Sequence, residues 1–139
     1  MPNAGTGVLL PPPVPDRVGG RGRSRAIASA GSVSCRFMGA IAYTVIATFP
    51  DAALADEYVA WLEDGHVDAV IEGGAHSAMI VRVSEPAEPP QVETRYVFRR
   101  REDFDRYVAH AAPALREEGL RKFGPERGVR LERRLGSIV

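Results

Sequence analysis

From residue 41 onward the spacing of large side chains changes in a fixed order, and that order limits the fold more than any other feature of the sequence. Residues 41–49 alternate, with Ile41, Tyr43, Val45 and Phe49 on one face and Thr44, Ile46 and Thr48 on the other. Period-two alternation in residues rich in β-formers predicts a strand. Pro50-Asp51 ends it, with Asp51 as the expected cap of a helix. Leu54, Tyr58 and Trp61 follow at helical spacing and give that helix one apolar stripe. Asp64-Gly65 closes it, residues 67–71 add a short helical turn, and Gly73-Gly74 stops the turn. Residues 76–83 and 92–98 alternate again, parted by a loop at 85–90 that contains three prolines. A second helix is expected from Arg101, with Phe104, Val108, Ala111 and Leu115 on its stripe, a kink or restart at Pro113 and a stop at Gly119. Residues 128–135 read as the last strand, with Val129, Leu131 and Leu135 facing in.

Strand, helix, strand, strand, helix, strand is the split-βαβ or ferredoxin-like order. The expected fold is therefore α+β: a four-stranded antiparallel sheet with two helices on one face, spanning residues 38–139. One layer of helices covers one sheet face. The open face is expected to carry Thr44, Ile46, Thr48, Ile80, Arg82, Glu93, Arg95, Val97, Arg130, Glu132 and Arg134. Three aliphatics among charges have no reason to stand in water. Two such faces meeting would bury them, so a homodimer whose sheets enclose a barrel is expected. The alternative is an open, wet face with surface ion pairs of little worth.

Residues 1–37 differ in kind. Pro11-Pro12-Pro13-Val14-Pro15 and Gly19-Gly20-Arg21-Gly22-Arg23 break helix and strand, and too few large apolar side chains are present to offset the cost of ordering. A disordered extension is expected. It could be an arginine-rich targeting peptide, a flexible tail, or a stretch ahead of a true start near Met38, two residues before the first clean strand. The last of these is favoured.

Charge is also uneven. Residues 1–37 hold five arginines and one acid, and the rest holds 13 bases and 17 acids. A net acidic domain is a poor nucleic-acid binder, because phosphate contacts need a basic surface. Within it, residues 51–72 contain seven acids and no base, and residues 95–134 contain twelve of the 13 bases. Solvated helix faces account for such runs. An anion site among the late arginines is the sharper alternative. Cys35 is the sole cysteine, so no disulfide or cysteine metal site forms within the chain, in keeping with a cytoplasmic protein. No apolar run approaches the ~20 residues of a membrane helix.

Tyr43-Thr44-Val45, Trp61-Leu62 with Gly65-His66-Val67, Thr94-Arg95-Tyr96, Phe104-Asp105 with Tyr107, and Ala112-Pro113 with Leu115-Arg116 together resemble a bacterial family known as domain of unknown function 4286. The resemblance covers nearly all of residues 40–139. It implies membership of the dimeric α+β barrel group, hence a dimer, but no particular reaction. Many members of that group have an aromatic on the first helix and a histidine just after it, near the pocket mouth, and Trp61 and His66 match that placement. An imidazole with a pKa near 6.5 can give or take a proton at neutral pH. The plainer readings are a helix-stop histidine bonded to backbone carbonyls and a tryptophan that extends the Leu54–Tyr58 core stripe. Relatives that oxidise quinol-like substrates without a cofactor pair tryptophan and histidine with an asparagine, and the only asparagine here is Asn3. Haem-binding relatives place a histidine on a pocket-facing helix, whereas His110 falls off the stripe of the second helix.

Other chemistries lack their residues. Gly73-Gly74 leads into a strand and is no phosphate loop. His66, His76 and His110 lack metal-ligand spacing. Ser77 and Ser84 have no nucleophile elbow. An RNA-recognition domain needs aromatics on the open face, but Tyr96 and Phe98 turn inward. An acylphosphatase-like site needs an anion-cradling loop after the first strand, where this chain has Pro50-Asp51. The leading expectation is a small-molecule-binding dimeric α+β barrel, with a cofactor-independent enzyme as one form of it, and with no cofactor, metal, nucleic-acid or membrane partner. Its pocket is expected to hold Trp61 and His66, with Arg82 and Arg95 facing a small anionic or carbonyl ligand and His66 as the acid–base group. The alternative is a non-catalytic ligand-sensing or protein-interaction module.

Overall fold

A computed structural model describes residues 38–139. The extension expected over residues 1–37, the start expected near Met38 and the reading of Cys35 concern residues outside the described ones or at their edge. Strand β1 (Ile41–Thr48) leads through Pro50 into helix α1 (Ala52–Trp61). A segment kinked at Asp64-Gly65 (Leu62–His66) joins α1 to α2 (Val67–Glu72). Strands β2 (Ser77–Arg82) and β3 (Gln91–Phe98) follow, then α3 (Arg101–His110), α4 (Ala112–Lys122), a 3₁₀ turn (Pro125–Arg127) and β4 (Arg130–Ser137). The sheet order is β2-β3-β1-β4, and every neighbouring pair is antiparallel. This is the ferredoxin-like α+β fold, with β1 and β3 central and β2 and β4 at the edges.

Local chemistry fixes the element ends. Asp51 is extended and its carboxylate accepts the Leu54 N–H at 2.8 Å, which satisfies a donor that the first turn of α1 would leave free. Asp51→Ala is expected to cost ~1 kcal/mol in urea unfolding; no measurable change would remove the cap from this account. Pro113 lies in the first turn of α4, and the chain breaks at Ala111. The expected stop at Gly119 does not occur. The helix runs on to Lys122, and the Gly119 carbonyl accepts the Phe123 N–H at 2.7 Å. A leucine and two cations after the glycine sustain the helix past it.

Two apolar clusters fill the space between sheet and helices. One joins Ile41, Tyr43, Tyr96 and Phe98 to Phe104 and Tyr107 of α3. The other joins Phe49 and Val92 to Leu54, Tyr58 and Leu62 of the first helical segment and to Phe123. The tyrosines of both clusters meet over the sheet centre.

The faces of β1, β3 and β4 follow the sequence pattern, but β2 is turned over. Ile80 pairs with Thr94 and Arg82 with Val92, both inward positions, so Ile80 and Arg82 face the helices. Met79 and Val81 take the open face instead. Ala78, Met79, Ile80 and Val81 are four consecutive apolar residues, which carry no period-two signal, and a shift of one position exchanges the faces of a strand. Ile46 does lie on the open face, yet it is buried within the single chain. Met79 is the large hydrophobic that stands exposed there, at 57%.

Candidate functional site

The kink at Asp64-Gly65 brings the first pair of site residues together. Gly65 sits at φ +112°, a conformation that side chains other than glycine rarely take. This reversal folds His66 back onto Trp61, with ring centroids 4.1 Å apart and planes 28° from parallel. Both rings line a cavity of about 50 Å³ beneath α1 and α4, over the tyrosine junction of the two clusters.

Gly119 forms part of its roof: a Cβ there would stand 3.4 Å from Trp61 Cη2. The walls are aromatic, from Tyr43, Tyr58, Tyr96 and Tyr107, with Leu115 and Leu131 beside them. The polar groups are Thr94 on the sheet, Arg116 on α4 and Arg133 on β4. Arg116 Nη2 and Arg133 Nε both donate to the Tyr43 hydroxyl, at 3.3 and 3.2 Å.

Burial sets the protonation of the site. It pushes the Tyr58 and Tyr107 phenols up to about 12 and raises the Tyr96 phenol as well. These three keep their protons at neutral pH and offer O–H groups. Burial lowers His66 below its ordinary value, against a weaker upward pull from Glu118. No carboxylate lines the cavity among the described residues. His66 is thus the lining group whose charge changes nearest neutral pH, and it is neutral there. Because the folded protein disfavours its proton, the stability gained by burying the neutral ring is present above pH 6.5 and is lost as pH falls through the depressed value. Proton NMR should place the His66 midpoint below 6.5; a midpoint at or above 6.5 would contradict the burial.

Two buried polar atoms meet no partner among the described residues: His66 Nδ1 and Arg116 Nε. Thr94 Oγ1 has the Tyr58 phenol beside it as a loose hydrogen-bond partner, which works against the upward shift of that phenol. His66, Thr94 and Arg116 all line the same cavity.

Trp61 and His66 are therefore together, and Arg82 and Arg95 are not with them. Arg82 reaches from the end of β2 to Asp56 on α1, at 2.6 Å. Arg95 stands on the open face, paired with Glu93 at 2.6 Å. Arg116 and Arg133 occupy the cavity instead. Both are legible in part. Ala112, Leu115, Arg116 and Gly119 share a helical face, and Arg133 shares strand parity with Leu131 and Leu135. His110 is exposed. No group of three or more His, Cys, Asp or Glu among the described residues could hold a metal ion.

The model of a family described as a domain of unknown function (DUF4286) matches residues 41–135. The chain belongs to that family. The DUF4286 match spans nearly all of the sheet and the whole cavity lining. No curated protein matches the chain. Among solved structures it is similar to a dimeric ferredoxin-like protein from an uncultured marine organism. That likeness has 15% identity and a TM-score of 0.57, and it covers 72% of this chain and 95% of that one. A putative PII-like signaling protein from Thermus thermophilus is similar at 14% identity and a TM-score of 0.38, over 73% of this chain and 91% of that one. The first likeness is one of fold. No helix among the described residues is long and apolar enough to cross a membrane.

Proposed function

We propose that this DUF4286 domain binds a small molecule in the cavity between helices and sheet, beside Trp61 and His66. The observation that carries the reading is that His66 and Arg116, each with a buried polar atom lacking a partner, line the same aromatic-walled space as Thr94. Buried polar groups nearly always find partners, and a group left without one costs ~1–3 kcal/mol. A ligand that met these atoms would recover that cost on binding. Neutral His66 is the group placed to exchange a proton with it.

The reading includes a cytoplasmic homodimer joined through the open sheet face. Two features support the pairing. The similar marine protein is described as dimeric. The open face also carries rows of opposite charge: Glu93 and Glu132 flank Ile46, and Arg95 and Arg134 flank Thr44 two residues away. A two-fold axis between these rows would set acids of one copy over bases of the other, a self-complementary contact. Exposed Met79 would be covered by the same contact.

Native mass spectrometry of the full chain, purified gently from its host, tests both halves. A dimer carrying a reproducible extra mass that denaturation releases is expected. A bare monomer would overturn the reading.

A further inference from the structure

We infer that the ligand is a short carboxylic acid, small enough for a pyruvate-sized site, that carries a second oxygen near its carboxylate; this rests on the cavity being the ligand site. Charge makes the first part of the case. Among the described residues, Arg82, Arg95, Arg100, Arg101, Arg106, Arg127 and Arg134 are each ion-paired with a carboxylate, and of the five arginines that are not, two line the cavity. Arg116 and Arg133 converge instead on the hydroxyl of Tyr43. Two guanidiniums on one phenol repel each other, and their forks fit a carboxylate that would come between them.

Position makes the second. Arg133 is exposed along the edge strand and Arg116 is half-buried, so the cations mark the solvent side. Thr94 is 1% exposed and lies on the sheet, and its hydroxyl, beside the Tyr58 phenol, marks the inner end. An acid entering carboxylate-last would bring a carbonyl or hydroxyl oxygen toward Thr94.

Size makes the third. The cavity holds about 50 Å³, against ~150 Å³ for a cavity that takes up benzene. With the carboxylate at the mouth, only a few further heavy atoms fit inside. An aromatic ring does not.

Calorimetry at neutral pH and low salt, with the full chain, uses four probes: pyruvate, propionate (no second oxygen), acetone (no carboxylate) and benzoate (a ring). Pyruvate is expected to bind saturably, with propionate and acetone each at least about tenfold weaker, ~1.4 kcal/mol, and benzoate undetected. Arg116→Gln and Arg133→Gln should each weaken pyruvate by a similar factor while circular dichroism and melting show the fold retained. Thr94→Val should erase the preference for pyruvate over propionate. Pyruvate binding that ignores both arginine changes would overturn the inference, as would benzoate binding equally well. Acetone binding as tightly as pyruvate would overturn the acid assignment and leave the cavity reading standing. The inference also falls if none of the four probes binds. If the native mass spectrum then shows no adduct either, the cavity reading fails with it.

Discussion

Phe98→Ala is expected to destabilise the domain by ~3–5 kcal/mol and to lower the melting temperature by at least ~15 °C. Phe98 is fully buried at the end of β3. Its ring packs edge-on against Phe104 at 5.3 Å and tilts against Tyr107 at 5.4 Å and Tyr43 at 6.5 Å. The α3 helix is thereby held to the sheet by one aromatic stack. Removing the ring leaves a hole that the central strands cannot close, since β1 and β3 are fixed by their own hydrogen-bonded register. The loss is a large part of the ~5–15 kcal/mol that keeps a domain folded. Three positions back in the same strand, Arg95 points the other way and is exposed, and Arg95→Ala should stay within about 0.5 kcal/mol in the monomer. Equal effects at the two positions, read by chemical denaturation, would mean that the faces of β3 are assigned wrongly.

Gly119→Leu is expected to abolish binding in the cavity, with affinity at least ~100-fold weaker, a change of ~2.7 kcal/mol. Gly119 lies inside α4 in regular helical geometry, so a side chain there is tolerated by the backbone. The first added carbon stands 3.4 Å from Trp61 Cη2, an ordinary contact. The branched carbons of leucine would extend toward the Trp61 ring and the cavity that Gly119 helps to line. Gly119→Ala separates filling from folding: it adds one carbon, should raise stability by ~0.5–1 kcal/mol through helix propensity, and should keep most of the affinity. The mass adduct seen by native mass spectrometry should survive in the alanine variant and vanish in the leucine variant. An adduct retained by Gly119→Leu would place the ligand elsewhere.

The fold is legible in the sequence because most of its elements carry one clean period. The alternation through β1 and β3 and the Leu54, Tyr58, Trp61 stripe each admit one reading, and the order of periods leaves one sheet topology. β2 is the exception for a local reason: four consecutive apolar residues hide which of them face the helices, so the pattern sets Ile80 and Arg82 on the wrong side. The site is half legible. Trp61 and His66 stand out by type and spacing, and the sequence also marks the helix break at Asp64-Gly65, but the stacking of the two rings across it appears only in the structure. The arginines mislead because any charge on a strand reads as solvent-facing. Arg133 stands among inward positions as the partner of a buried tyrosine hydroxyl, which becomes visible only when β4 is set beside β1.

A crystal of the protein soaked in pyruvate tests the central claim most directly. The account predicts ordered density in the cavity within hydrogen-bonding distance of Thr94 Oγ1 and of the Arg116 and Arg133 guanidiniums, with His66 still stacked on Trp61. A collapsed, empty cavity, in which Thr94, His66 and Arg116 satisfy one another or turn to solvent, would contradict it.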